Sequence, residues 1–186
     1  MLIIMSGPSG SGKNAVINEL LKVMSNLEIM KSCTTRKKRK GDVDKNYYYL
    51  TQKEFKQRKE NGEFFETEMV HKGIWYGVLN ESLEKVIEGE KHYIKDIDVN
   101  GSMKINDYLV GKAKVVKFFL DAPDDVLKER LQKRGEDEES IKNRQERYAY
   151  ERSFKDKYDL VVNNIVFDTT VKLIKKYLEE QKLVQI

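Results

Sequence analysis

The chain has 186 residues, of which 39% are hydrophobic and 35% charged, and its 35 Lys and Arg against 31 Asp and Glu give a formal net charge of +4. This length suits one domain, and the apolar content is enough for a core, which excludes a globally disordered chain. The single cysteine, Cys33, excludes an internal disulfide and a cysteine-based zinc site. The apolar runs are far shorter than the roughly 20 residues of a membrane span, so we expect a soluble, cytoplasmic protein.

Short apolar runs alternate with longer segments of helical period, which is typical of α/β architecture with parallel strands and crossover helices. The predicted strands of this core are 2–5, 93–97, 115–120 and 160–162. The predicted helices are 13–24, 80–88, 124–133, 138–152 and 169–181. Ligands of such sheets bind at the carboxyl ends of the strands, so the loops that follow strands should carry the function.

The segment Gly7-Pro8-Ser9-Gly10-Ser11-Gly12-Lys13 lies between the first predicted strand and the first predicted helix. Two glycines that bracket four residues and precede a lysine form the phosphate-loop pattern. Its glycines allow backbone N–H groups to point inward, and Lys13 supplies a cation for the β- and γ-phosphates. We therefore predict a phosphate-binding loop rather than an ordinary glycine-rich turn.

Asn14 follows the lysine, where serine or threonine normally places a hydroxyl on magnesium. The asparagine side chain also offers an oxygen, but it is one atom longer, and magnesium demands near-octahedral distances of about 2.0 to 2.1 Å. We predict that a metal contact of Asn14 runs through water.

The stretch from 31 to about 69 interrupts the alternation of strands and helices. It contains a charged loop, a run of tyrosines, a short helix opened by the capping pattern of Thr51 and Glu54, and an extended piece at 63–69. We interpret this stretch as an inserted α+β lobe.

Five adjacent basic residues occupy positions 36–40 of this lobe. Such a run is typical of a nucleic-acid or localisation signal, or of a solvated loop. It follows residues 32–35, precedes the tyrosines at 47–49, and shares a short chain with a phosphate loop. Guanidinium groups bind phosphate bidentately and tyrosine hydroxyls add donors, so the lobe could hold a second phosphorylated ligand.

Arg130 and Arg134 are four residues apart on one predicted helix, and Arg144 and Arg147 lie in the next helical stretch. A solvent-exposed face of salt bridges is the alternative, because acidic side chains are close by. Phosphoryl transfer needs mobile guanidinium groups that close over the γ-phosphate, and this favours a lid.

Along essentially its whole length the chain resembles the guanylate kinases of the nucleoside-monophosphate kinase group. The resemblance is carried by residues 6–13, Ser32-Cys33-Thr34-Thr35-Arg36, Arg39, Gly41, Tyr47, Gly62-Glu63-Phe64-Phe65-Glu66, Tyr76-Gly77, Asp96-Ile97-Asp98, Gly101, Arg134-Gly135, Glu138-Glu139-Ser140-Ile141 and Arg144. It implies an α/β fold in one domain, with a parallel-sheet P-loop kinase core at 1–31, 80–125 and 155–186. An inserted α+β GMP-binding lobe would span about 32–79, and a helical lid about 126–154.

The resemblance implies ATP-dependent phosphorylation of GMP and dGMP to GDP and dGDP by direct in-line transfer, in purine nucleotide metabolism, with Mg²⁺ accompanying ATP. It assigns catalytic roles to Lys13, Arg36, Arg134 and Arg144. The implied ATP contacts are Gly7, Pro8, Ser9, Gly10, Ser11, Gly12, Lys13, Asn14 and Asn163. The implied GMP contacts are Ser32, Glu66 and Asp98 for guanine, and Arg36, Arg39, Tyr47 and Tyr76 for the phosphate. The implied metal contacts are Asn14 and Asp96.

Carboxylates are the natural partners of guanine, because its N1–H and N2 amino groups are donors. Glu66 and Asp98 should end separate extended segments, and two buried carboxylates left unpaired by a wrong base discriminate strongly. As alternatives, Glu66 is an exposed edge-strand charge, and Asp96 and Asp98, two apart on one strand, form a metal pair. Because the family places the aspartate matching Asp96 near magnesium and phosphates, both assignments of this pair can be partly right.

Two positions depart from the family pattern. Asn14 replaces the usual hydroxyl residue, and Val78 follows the Tyr-Gly pair where the family usually has serine or threonine, so one hydroxyl contact to the acceptor nucleotide is lost. These departures support the first alternative, a guanylate-kinase-like protein-interaction module without catalysis. Against that alternative stand the basic residues that a scaffold has no catalytic reason to keep, Lys13, Arg36, Arg39, Arg134 and Arg144.

The second alternative is a related P-loop kinase for a phosphorylated sugar, which would need the arginines but not Glu66 and Asp98. We expect small-molecule nucleotides as ligands, no nucleic acid or membrane as partner, and a monomer or a homodimer.

Overall fold

The computed structural model describes residues 1–38, 46–70 and 73–180. Five parallel strands form the core sheet. In order across the sheet they are β2 (Leu27–Ile29), β7 (His92–Asp96), β1 (Leu2–Ser6), β8 (Val115–Asp121) and β9 (Leu160–Asn163). The predicted α/β class with a parallel sheet is therefore confirmed.

Helices cover both faces of this sheet. Alternate residues of β1, all of them buried, enter two separate hydrophobic clusters. One cluster includes α1 (Lys13–Val23) and α8 (Phe167–Glu180), and the other includes α3 (Asn80–Glu88) and α4 (Val99–Leu109). Burial on both faces explains why the core strands have continuous apolar runs rather than alternating ones. Among the described helices, none is long and apolar enough to cross a bilayer.

A second sheet lies within the stretch predicted to be an inserted lobe. Across this sheet the strands are β4 (Tyr47–Tyr49), β3 (Ser32–Thr34), β6 (Ile74–Leu79) and β5 (Phe64–Val70), with α2 (Gln52–Glu60) packed against it. Phe55 of α2 stacks on Phe64 with ring centroids 4.6 Å apart, and Trp75 lies 5.9 Å away. The reciprocal hydrogen bonds of Thr51 and Glu54 at the start of α2 confirm the predicted capping box.

Three helices follow β8 at the carboxyl end of the core sheet: α5 (Asp124–Lys133), α6 (Glu138–Gln145) and α7 (Tyr148–Arg152). The prediction of one helix over 138–152 was wrong. The N–H of Arg147 bonds the carbonyl of Arg144 at 3.1 Å, a tighter 3₁₀-type bond that separates α6 from α7.

Sequence periodicity did not predict β2, β3, β4, β6 or α4. Strands β2, β3 and β4 have three residues each, too few to show a period of two. α4 contains Asn100, Gly101 and Asn106, residues of low helix propensity, which obscure its apolar face.

Candidate active site

The phosphate loop has the conformation that its glycines predict. Gly7, Gly10 and Gly12 all have positive φ angles, of 133°, 92° and 92°. A Cβ atom on Gly7 would lie 1.9 Å from the backbone oxygen of Leu120 on β8, so only glycine fits where the loop leaves the sheet.

Lys13 opens α1 and folds back over the loop. Its ammonium donates to the carbonyl oxygen of Gly7 at 2.7 Å and to that of Pro8 at 3.2 Å. It also lies 4.0 Å from Oδ1 of Asp96, at the end of β7. Lys13, the lysine predicted to bind phosphate, therefore lies between the loop and Asp96.

Side chains from segments far along the chain form hydrogen bonds with the carbonyl groups of the phosphate loop. Asn164 is buried and donates through Nδ2 to the carbonyl of Ser11 at 2.7 Å, whereas the predicted ATP contact, Asn163, is exposed. Arg130 donates to the carbonyl of Asn164 at 2.7 Å and to that of Gly10 at 3.4 Å. Arg130 was predicted to belong with the lid arginines. In the structure it binds the loop backbone instead.

A cleft of about 420 Å³ opens between Ser9 of the loop, the second sheet and the region of α6 and α7. It is lined by nine of the nineteen residues predicted for the site, namely Ser9, Ser32, Arg36, Tyr47, Glu66, Tyr76, Asp96, Asp98 and Arg144. Of residues 7–14, which the structure describes in full, only Ser9 lines the cleft. Arg39 lies outside the described residues. Arg147, which the sequence analysis grouped with the lid arginines, also lines the cleft, as do Glu68, Asn143 and Glu151, for which no role was predicted.

One end of the cleft is basic and aromatic. The Arg36 guanidinium lies 5.5 Å from the ring centroid of Tyr47 and 5.7 Å from that of Tyr49, and the rings of Tyr47 and Tyr76 are 6.0 Å apart. Burial raises the pKa of Tyr47, so its hydroxyl stays protonated and can donate. An arginine beside tyrosines, whose hydroxyl groups can donate, is a suitable site for a phosphate monoester.

The other end is acidic. Glu66 is 17% exposed and pairs with Lys104 at 3.1 Å. Asp98 caps α4, because its Oδ1 accepts from the backbone N–H groups of Asn100 at 2.8 Å and Gly101 at 3.2 Å. Both carboxylates line the cleft.

The local structure around these carboxylates differs from the prediction. Glu66 lies inside β5 rather than at its end, and β7 ends at Asp96, so Asp96 and Asp98 do not share one strand face. The cap at Asp98 begins α4, an element that the sequence did not reveal. The side chain of Glu66 enters the cleft, which argues against a merely exposed edge-strand charge.

Asn14, an exposed residue, and Asp96 line a small recess of about 20 Å³, whose other lining residues include the apolar Ile17, Ile29, Met30 and Ile94. Burial raises the pKa of Asp96, while the positive charges of Lys13 and Lys95 oppose this shift. Among the described residues, no group of three or more His, Cys, Asp or Glu side chains could hold a metal ion by itself. One carboxylate and one amide oxygen do fit Mg²⁺ in a kinase site, where phosphates and water supply the other ligands.

The two predicted lid arginines share one carboxylate. Glu136 lies between α5 and α6, and its oxygens lie 3.2 Å from an Nη atom of Arg134 and 2.5 Å from Nε of Arg144. Arg144 also donates to Oγ of Ser9 at 2.9 Å, which brings it to the phosphate loop. Glu136 thus holds Arg134 and Arg144 together and offsets one of their two positive charges, and Arg144 lines the cleft.

Sequence reasoning missed Lys95. This β7 lysine is 1% exposed and donates to Oγ of Ser32 at 2.7 Å and to the carbonyl of Met30 at 3.4 Å. Burial lowers its pKa to about 8. A lone lysine within a predicted core strand was the sequence signal that could have identified it.

A parallel sheet with a phosphate loop after its central strand is the arrangement of a P-loop kinase. The family model for guanylate kinase matches residues 1–181. A guanylate kinase of Chlorobium chlorochromatii is 39% identical over 166 residues, covering 88% of this chain and 86% of that protein. One of Thermotoga maritima is 35% identical over 185 residues, covering 97% of this chain and 87% of that protein.

A crystal structure of guanylate kinase from Anaplasma phagocytophilum is also similar, with a TM-score of 0.75 and 29% sequence identity. The match covers 97% of this chain and 85% of that chain. The chain belongs to the guanylate kinase family.

Proposed function

We propose that this enzyme transfers the γ-phosphate of ATP to GMP, and also to dGMP, by direct in-line attack within the cleft. One observation supports the assignment of roles: Ser9 of the phosphate loop, the Arg36 and Tyr47 pair, and the carboxylates of Glu66 and Asp98 all line a single cleft. Family membership and the similar relatives support ATP-dependent phosphorylation of GMP and favour neither alternative function.

The donor nucleotide binds at the phosphate loop. Loop N–H groups and the N-terminus of α1 receive the β-phosphate, and the Lys13 ammonium exchanges its contacts with Gly7 and Pro8 for phosphate oxygens. Mg²⁺ would be held by Asp96 directly and by Asn14 through water. When bound, the metal neutralises charge on the β- and γ-phosphate oxygens.

The acceptor nucleotide binds across the second sheet. Arg36, Tyr47 and Tyr76 hold the 5′-phosphate, with Arg39 as a further candidate. At the acidic end, Glu66 and Asp98 accept the N1–H and N2 amino protons of guanine, and Ser32 contacts the same base. A base without these donors leaves both carboxylates unpaired, which is the physical source of selectivity.

Transfer requires no covalent enzyme intermediate. The acceptor phosphate oxygen attacks the γ-phosphorus while the bond to the β-phosphate bridge oxygen breaks, and Lys13, Arg134 and Arg144 stabilise charge on the transferring group. We propose that residues of about 32–79 and about 126–154 close over the nucleotides as lobe and lid, because water in the cleft would hydrolyse ATP.

We also infer a setting for the enzyme. Its single cysteine is buried and free, which suits a reducing cytoplasm. Small-molecule nucleotides are its proposed partners, with no nucleic acid or membrane, and it acts as a monomer or a homodimer in purine nucleotide metabolism.

An acceptor panel tests this proposal. With ATP and Mg²⁺, we expect ADP release with GMP and dGMP, and little with AMP or ribose 5-phosphate. Turnover of ribose 5-phosphate instead of GMP would support the sugar-phosphate kinase. GMP binding without turnover, at every magnesium concentration, would support the interaction module.

A further inference from the structure

Lys95 is a charged group in a place where an apolar side chain would be expected. Its neighbour Ile94 is fully buried in the core sheet, and Lys95 itself is 1% exposed. Among the described residues, Lys95 forms no ion pair, and its one short hydrogen bond goes to Oγ of Ser32. Asp96 and Glu66 favour this charge electrostatically, but neither forms an ion pair with it. A buried charge without a carboxylate at ion-pair distance costs stability, so a role in holding Ser32 would explain its presence.

The chemistry of this contact determines what Ser32 can do. An ammonium group only donates, so the Ser32 oxygen must accept from Lys95. The single hydroxyl proton of Ser32 must then point elsewhere, and Ser32 lines the cleft whereas Lys95 lies behind it. A hydroxyl held in this way is a donor toward the cleft, and the adjacent positive charge strengthens it.

Strand β6, which pairs with the strand of Ser32, contributes an apolar side chain to the cleft. Val78 also lines the cleft, is 3% exposed, and has no polar side-chain atom. Guanine carries a carbonyl acceptor at position 6, whereas adenine and 2,6-diaminopurine carry an amino donor there. A fixed hydrogen-bond donor in the cleft therefore favours guanine and disfavours adenine and 2,6-diaminopurine.

We propose that Lys95 is a positioning residue that fixes Ser32 as a hydrogen-bond donor and so selects purine nucleotides with a carbonyl at position 6. The inference rests on the proposed function in that Ser32 contacts the acceptor base. Lys95 acts through Ser32 and does not touch the substrate.

The test compares two acceptors, GMP and 2,6-diaminopurine riboside 5′-monophosphate, in the wild-type enzyme and in Lys95→Met. The two nucleotides also differ at N1, but that difference is the same in both proteins, so a change in the ratio of kcat/KM values isolates position 6. Methionine is close to lysine in volume and removes the buried charge. In Lys95→Met we expect the preference for GMP, which is the ratio of kcat/KM for GMP to kcat/KM for the diaminopurine nucleotide, to fall roughly five- to tenfold. The KM for GMP should rise and the KM for ATP should stay unchanged.

Ser32→Ala and the double variant with both substitutions complete a double-mutant cycle. If Lys95 acts through Ser32, then Ser32→Ala lowers the same preference, and Lys95→Met adds no further change in that background. An unchanged preference in folded Lys95→Met, or equal losses with both acceptors together with a raised KM for ATP, would overturn the proposal in favour of a purely structural lysine.

If Lys95→Met does not fold, Ser32→Ala alone decides, because an unchanged preference there would also overturn the proposal. Failure of the proposed function is distinguishable: wild-type enzyme would then not phosphorylate GMP at all.

Discussion

Lys13 is the residue whose loss should cost most at the donor side. Its ammonium contacts the phosphate loop and Asp96, and the proposed mechanism places the transferring phosphoryl group beside it. We predict that Lys13→Met lowers kcat at least about 100-fold, the usual cost of losing one transition-state donor. Coupled ADP-release kinetics measure this, with a thermal melt to show that the variant is folded. Near-normal turnover in a folded variant would rule out the phosphate-loop assignment.

Glu66 offers a test at the acceptor side. In Glu66→Gln one acceptor oxygen becomes an amide donor that faces the donors of guanine. We predict a loss of at least about tenfold in kcat/KM for GMP, with the KM for ATP little changed. Glu63→Gln is the matched control, because Glu63 is 40% exposed and pairs with Arg58 outside the cleft. Equal GMP kinetics in wild type and Glu66→Gln would show that Glu66 does not contact the base.

Asn14 tests the metal assignment. Its side chain shares a recess with Asp96, and it is longer than the serine that usually contacts magnesium. If Asn14 holds Mg²⁺ through water, Asn14→Ser should reach half-maximal activity at lower Mg²⁺ with an unchanged KM for GMP. A magnesium titration at fixed ATP measures this. A raised requirement, or loss of activity in a folded variant, would show that Asn14 is itself a direct ligand to which the loop has adapted.

Single residues could be predicted where a local motif fixes the backbone geometry. They could not be predicted where their role depends on tertiary contacts. The loop from Gly7 to Lys13 could be predicted because its glycines and lysine are tied to one local conformation. The roles of Arg130, Asn164 and Lys95 depend on partners more than 30 residues away in the chain, and no local pattern encodes those contacts.

Among the elements, the turn between α5 and α6 carries a testable contact. Glu136 pairs with both Arg134 and Arg144, so its carboxylate competes with the γ-phosphate for the same guanidinium groups. We predict that Glu136→Gln lowers the KM for ATP about two- to fivefold, since such partly exposed pairs contribute at most about 1 kcal/mol. Glu138→Gln, an exposed change at the start of α6, is the control. An unchanged or raised KM for ATP would show that Glu136 does not restrain the lid.

Element prediction depended on length. Helices such as α3 and α5 show enough turns for their apolar period to be recognised, and their predicted bounds match the structure. The three-residue strands are too short to show a period, and the asparagines and glycine of α4 interrupt its apolar pattern. That omission mattered for the site, because Asp98 owes its position to the cap of α4 rather than to the strand before it.

For the whole molecule, the arrangement of the two sheets explains how one chain can hold two nucleotides. The core sheet presents the phosphate loop at the carboxyl end of its central strand, and the second sheet presents Ser32, Tyr47 and Glu66 to the same cleft. Direct transfer needs both ligands side by side, and Ser9 of the phosphate loop lines the same cleft as these residues of the second sheet.

The central claim is direct transfer from ATP to GMP, and product stoichiometry tests it most directly. Wild-type protein is incubated with ATP, GMP and Mg²⁺, and GDP, ADP and inorganic phosphate are separated and quantified. Transfer within a closed cleft predicts GDP and ADP in equal amounts, GMP-dependent ADP formation, and almost no inorganic phosphate, with all products reduced about 100-fold in Lys13→Met. ADP and inorganic phosphate formed without GDP, or no consumption of GMP by the folded protein, would contradict the account.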